Sequence, residues 1–212
     1  MMNYAAEVAD ALLEIGAVKL RPHDRFTWAS GLASPIYTDN RVALAYPRVR
    51  RLIKEGLTRE VNALEDVGAV VGVATAGIPH AALVADRLDL PLAYVRASAK
   101  KHGRQNKIEG QLSGGERVVV IEDLVSTGGS SLEAVAALRA AGVEVLATVA
   151  IFTYGFDVAA ARFAGAGCPL TTLCDYPTLI ARAAARGDVT DADLATLSAW
   201  REEASAALAS SN

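Results

Sequence analysis

Two cysteines and three histidines in 212 residues leave little material for a metal centre or a disulfide framework. Cys168 and Cys174 have no second cysteine pair and no neighbouring histidine, so they match no zinc-ligand spacing and are expected to be reduced thiols in or near the core. A chain of this length can bury a core without such staples. Aromatic residues are also scarce, at 6%, against a hydrophobic share of 52%, so Ala, Val and Leu must supply most of the apolar surface, as in an α/β protein. There is no excess of positive charge: the formal net charge is -3, which argues against a general nucleic-acid binder, whose basic face neutralises phosphates. Apolar runs such as 143–152 are far shorter than the ~20 residues of a membrane span. The opening MMNYAAEVAD carries two acids and no basic flank, unlike a secretory signal. A cytoplasmic protein without membrane or nucleic-acid partners is the expectation. Two common phosphate signatures are missing as well, GxxxxGK[ST] and GxGxxG.

What is present has the rhythm of an α/β fold. Val8, Leu12 and Ile15 recur at helical spacing before Gly16, and Pro47 opens a second helical stretch over about 46–64 in which Val49, Ile53, Leu57, Val61 and Leu64 repeat. Between them, 25–41 mixes aromatics with Gly, Pro and Asn, which predicts short strands and turns. VGAVVGVAT (67–75) is an almost continuous apolar run, the mark of a strand buried on both faces. A helix over about 79–88, a strand at 92–96, a β-branched strand at 117–124, a helix at 129–141 and a strand at 143–152 follow. This alternation predicts a mostly parallel central sheet flanked by helices, with right-handed crossovers. A helix after Pro177, a stop at Gly187 and a capping box from Thr190 to Asp193 end the chain. The polar, basic and glycine-bearing segment 97–115 has no apolar period, and a connection of that length is usually either a functional lid or disordered.

The string VVVIEDLVSTGGSS (118–131) concentrates the chemistry. Two carboxylates, Glu122 and Asp123, stand near the carboxyl end of a strand, where open parallel sheets bind ligands. Leu124 and Val125 lead into Ser126, Thr127, Gly128, Gly129 and Ser130, whose N–H groups, hydroxyls and paired glycines at a helix start suit a terminal phosphate. Acids beside an anion site need a neutral or cationic group between them. A ribose diol, with or without magnesium, meets that need, so the residues point to a sugar phosphate.

IEDLVSTGGSS resembles the signature by which type I phosphoribosyltransferases bind 5-phosphoribosyl 1-diphosphate (PRPP). FTWASGLASPIYTDNR (26–41), GVATAGIPHAA (72–82), YVRASAKKHGRQNKIEG (94–110) and IFTYGF (151–156) resemble, more narrowly, the orotate phosphoribosyltransferases. The resemblance implies the type I phosphoribosyltransferase fold in one domain: a core over about 46–170, a small hood from about 1–45 plus part of 170–212, and a flexible lid over about 97–115. It implies transfer of the phosphoribosyl group to N1 of orotate, with Mg2+ held mainly by substrate. It also implies a homodimer in which the lid of one subunit covers the site of the other. By matched position, Arg96, Lys100 and His102 would hold pyrophosphate, Glu122 through Ser130 the ribose 5-phosphate, and Ser126 would also contact orotate. Thr75, Ala76 and Gly77 would form the pyrophosphate loop, and Lys100 and Asp123 would be catalytic. Ala29 and Ala97 stand where some members have lysines, and Thr75 and Ala76 replace a bulkier pair that contains one, so Lys100, Lys101, Arg104 and Lys107 are left to share the charge of the leaving group. Tyr37 is a candidate to flank the base. A phosphoribosyltransferase for another nucleobase, or a PRPP-binding regulator without catalysis, would share the phosphate loop. The basic 97–115 segment and the lack of a spare DNA-binding module favour an enzyme.

Overall fold

The computed structural model describes residues 3–28, 31–96 and 107–210. Its centre is a six-stranded sheet in the order β10-β9-β8-β5-β6-β7. The strands are β5 (Ala69–Val73), β6 (Leu92–Val95), β7 (Ile108–Glu109), β8 (Arg117–Val125), β9 (Glu144–Thr153) and β10 (Leu170–Asp175). All neighbouring pairs are parallel except β6 with β7. The sheet runs on to Asp175, past the core boundary near 170 expected from the sequence. The expected lid segment begins in residues outside those described, and its second half is pinned to the sheet edge by β7, a short strand that polar composition concealed.

Alternation along β8 shows why the sheet needs helices on both faces. Val119 and Ile121 enter one hydrophobic cluster, whereas Val118 and Val120 enter the other, and all four are fully buried. Burial of each such side chain contributes about 1.5–3 kcal/mol relative to exposure. The first face is covered by α1 (Tyr4–Glu14), α2 (Pro47–Asn62), α3 (Gly77–Leu88), α6 (Tyr176–Arg186) and α7 (Asp191–Ser210), which supply Leu12, Ile53, Val84, Leu179 and Leu197 to its cluster. The second takes α4 (Gly129–Ala140) and α5 (Asp157–Gly165), which supply Val135, Leu138 and Phe163. Cys168 and Cys174 are buried free thiols, as expected.

Two antiparallel ribbons cap one end: β1 (Val18–Leu20) with β4 (Ile36–Thr38), and β2 (Phe26–Thr27) with β3 (Ala33–Ser34). A 3-10 turn over Asn40–Ala45 carries the chain into α2. The ribbons are joined to the C-terminal helix by the indole N–H of Trp200, which donates to the Ala33 carbonyl at 2.9 Å. Thr190 and Asp193 form the reciprocal capping box, each backbone N–H donating to the other's side chain.

The chain leaves β5 for β6 on one side of the sheet, while β8 leads to β9 on the other. The strand order therefore reverses between β5 and β8, and the crevice outside their carboxyl ends is where such sheets bind ligands.

Candidate active site

Two loops meet at that reversal. After β5, Ala74–Ala76 turns directly into α3, and after β8, Ser126–Gly128 turns into α4. Glycine is required at both helix starts. A Cβ on Gly77 would lie 2.5 Å from the Ile121 carbonyl oxygen, so the first turn of α3 rests on β8 only because no side chain intervenes. Gly128 has φ +79, and a Cβ there would meet the Phe163 ring of α5 at 2.9 Å. Gly129 has nothing within 4 Å of its Cβ position and is exposed, so it leaves the helix N-terminus open to a ligand. From α5, Arg162 donates to the Thr127 carbonyl at 3.1 Å and adds a cation beside this loop.

Glu122 and Asp123 behave as a pair. The Glu122 carboxylate is buried and accepts from the Asp123 N–H at 3.0 Å and from the Ser131 hydroxyl at 3.1 Å. Burial, reinforced by the charge of Asp123, pushes its pKa up to about 8. Burial raises Asp123 too. The pair resists carrying two full negative charges unless hydroxyl donors or a cation approach it. Asn40 fastens this corner from the hood side, its amide donating to the Asp123 carbonyl at 2.7 Å. Next to it, Asp39 accepts from Arg41 Nε at 2.6 Å and Nη2 at 2.8 Å, and the guanidinium lowers its pKa.

Two cavities of opposite character flank the β8–α4 connection, Ser126 lining one and Gly129 and Ser130, at the start of α4, lining the other. One, of about 260 Å³, is lined by Thr27, Trp28, Tyr37, Thr38, Leu124, Ser126 and Tyr154, all neutral and four of them aromatic or aliphatic. The other, of about 320 Å³, is lined by Gly129 and Ser130 together with Ala74, Arg96, Lys107 and Glu133. Arg96 pairs with Glu109 at 3.3 Å and Lys107 with Glu133 at 3.5 Å, so both cations are held at the rim of the second cavity. Among the described residues no three acidic, histidine or cysteine side chains converge to cage a metal ion.

The phosphoribosyl transferase domain model matches residues 43–164, and an orotate phosphoribosyltransferase of Staphylococcus saprophyticus is 54% identical over 202 residues, 95% of this chain and 100% of its own. The chain belongs to the orotate phosphoribosyltransferase family. A second family member, from Bacillus caldolyticus, is 55% identical over 196 residues, 92% of this chain and 95% of its own. The crystal structure of the orotate phosphoribosyltransferase from Aeropyrum pernix matches with a TM-score of 0.73 at 32% identity, over 86% of this chain and 99% of that one.

Of the site residues expected for an orotate phosphoribosyltransferase, Arg96, Thr75, Ala76, Gly77 and Glu122 through Ser130 all lie around the crevice between β5 and β8. Lys100 and His102 lie outside the described residues. Tyr37 lines the neutral cavity, 42% exposed, with its ring 5.7 Å from that of Phe26. Sequence reasoning missed Trp28, Thr38, Asn40, Ser131, Tyr154 and Arg162. Trp28, Thr38, Asn40 and Tyr154 sit inside strings that carry the family resemblance, so position within those strings was the available signal. Nothing in the sequence marks Arg162, which reaches the site only because α5 packs against the Ser126–Gly128 loop.

Proposed function

We propose that this orotate phosphoribosyltransferase uses the β8–α4 loop as the common platform for both substrates, PRPP and orotate. The chain transfers the 5-phosphoribosyl group of PRPP to N1 of orotate, giving orotidine 5′-phosphate, the precursor of UMP, and pyrophosphate. The observation that carries the proposal is the pair of cavities on either side of that loop, one lined by neutral and mostly aromatic or aliphatic residues, the other rimmed by cations and a helix N-terminus. A planar base suits the first, and the diphosphate of PRPP suits the second.

In this reading the loop from Ser126 to Ser130 holds the 5-phosphate by backbone N–H groups and hydroxyls, and Asp123 and Glu122 accept from the 2′- and 3′-hydroxyls of ribose. As N1 attacks C1′ and the C1′–O bond to pyrophosphate breaks, with inversion, positive charge develops on the sugar and negative charge on the leaving group. Asp123 stabilises the first. Arg96, the amides of Thr75, Ala76 and Gly77, and Lys100 and His102 stabilise the second. Orotate is an anion whose N1 needs no strong protein base, so orientation and electrostatics dominate. Magnesium would neutralise the diphosphate. The acids suit such an ion: Glu122 is buried with its pKa raised to about 8 and Asp123 lies beside it, so a cation there would stabilise the ionised pair. The working unit is a homodimer whose 97–115 segments exchange between sites, and the compartment is the cytoplasm.

The test is spectroscopic. Orotate absorbance should fall when PRPP and magnesium are added together, and not with either alone. Turnover of a purine, with none of orotate, would assign the neutral cavity to a different base.

A further inference from the structure

Asp123 sits where β8 has lost a neighbour. Strand β5 pairs with β8 only from Ala69 opposite Val118 to Gly72 opposite Ile121, whereas β9 continues to Thr153 opposite Val125. Even on the β9 side Asp123 is passed over, between Glu122 opposite Ala150 and Leu124 opposite Phe152. Its backbone groups go to side chains instead: the N–H donates to the Glu122 carboxylate at 3.0 Å, and the carbonyl accepts from Asn40 Nδ2 at 2.7 Å.

Asn40 has no surface with which to meet a substrate. It is fully buried and lines neither of the two cavities. Its Oδ1 is buried as well and has no hydrogen-bond partner among the described residues. A buried acceptor left unpaired loses more than a typical hydrogen bond returns, so stability of the fold does not account for this side chain. Its backbone is nevertheless held firmly. The β1–β4 ribbon leads into it with Val18 opposite Thr38, and the Asp39 N–H donates to the Ala17 carbonyl at 2.8 Å. The Asp39 carboxylate then caps the 3-10 turn by accepting from the Arg41 N–H at 3.1 Å, and Ala43 of the same turn is fully buried in the core.

We infer, resting on the proposed orotate transfer, that Asn40 is a positioning residue for Asp123: its amide takes the place of the missing strand and fixes the peptide that carries the carboxylate beside the sugar. Stabilisation of a developing cation by a carboxylate depends steeply on placement, and a misplacement of about 1 Å can cost on the order of 100-fold in rate. An amide anchored in a capped turn holds that placement from the backbone side. Both oxygens of the Asp123 carboxylate are then left for the ribose hydroxyls and the sugar cation.

The experiment is a double-mutant cycle of Asn40→Ala and Asp123→Asn in the whole chain, read by steady-state kinetics, with thermal melts to check folding. Asn40→Ala alone should lower kcat about tenfold and leave the KM for orotate within about twofold. In the Asp123→Asn background the same change should cost less than about threefold, because no charge remains to be placed. Losses that multiply in the double variant, a loss confined to KM, or a folded Asn40→Ala as fast as wild type would each overturn the assignment. If Asn40→Ala does not fold, Asn40→Ser, whose hydroxyl can hold a water in the vacated space, replaces it in the cycle with the same expectations. Failure of both to fold would make Asn40 a structural residue and overturn the assignment too. A wild type that forms no orotidine 5′-phosphate from orotate and PRPP would instead overturn the proposed function, so the two failures are separable.

Discussion

Replacing Asp123 by asparagine keeps the size and most of the hydrogen bonding of the side chain while removing its charge beside the sugar. The protein should fold, because the backbone carbonyl that accepts from Asn40 is untouched. Turnover should drop on the order of 100-fold, the scale of a lost electrostatic group at a transition state. Steady-state rates at saturating substrate measure it, and an unchanged rate would reduce Asp123 to a structural residue. His80, on α3, illustrates a different residue-scale effect. It is 1% exposed, neither ring nitrogen has a partner among the described residues, and burial lowers its pKa from 6.5 to about 4. The folded state therefore binds the proton less readily than the unfolded chain. Stability from this group is intact above pH 6.5 and is lost as pH falls towards 4, to a total of about 3 kcal/mol. Urea midpoints measured between pH 7 and pH 4.5 should fall less in His80→Leu than in wild type. Parallel slopes would show that His80 does not titrate in this way.

At the scale of elements, glycines that look alike in sequence do different work. Gly77→Ala drives a methyl into the Ile121 carbonyl and forces α3 off β8, so it should cost about 3 kcal/mol, at the upper end for overpacking. Gly129→Ala meets open space and should change stability by less than about 0.5 kcal/mol. Denaturant midpoints of the two variants, compared with wild type, check the contrast, and a fully stable Gly77→Ala would contradict the close packing of α3 on β8. Helices α1, α2 and α4 and strands β5, β8 and β9 are legible in sequence because each buries a periodic or continuous apolar face. Strands β7 and β10 are not. Ile108–Glu109 has no pattern of its own and exists because β6 offers an open edge, and the LTTLCD strand is too mixed to stand out before its neighbour β9 is in place.

For the whole molecule, the expected sharing of the 97–115 segment between subunits has a direct test. Lys100→Ala and Asp123→Asn chains, each expected to lose most of its turnover alone, should complement when mixed, because one site of each mixed dimer would then have both residues. Random reassociation at equal concentration should restore about a quarter of wild-type sites. No recovery, with exchange of subunits demonstrated, would confine both residues to one chain's site. Activity should also vanish in excess chelator and return with magnesium, since the diphosphate needs its charge neutralised and Arg96 and Lys107 at the cavity rim are each already paired with a glutamate. Full turnover in chelator would remove the metal from the reaction.

Local chemistry along the chain is enough to specify a parallel α/β sheet, the proposed phosphate loop at Ser126–Ser130 and the acid pair before it, because strand burial, helix starts and anion binding depend on residues adjacent in sequence. The cavity proposed for the base is different in kind. Thr27, Trp28, Tyr37 and Thr38 meet Leu124, Ser126 and Tyr154 only after the N-terminal ribbons fold over the ends of β8 and β9. The raised pKa of Glu122 likewise comes first from burial, which the packing of β5, β9 and α3 around β8 supplies and no local pattern encodes.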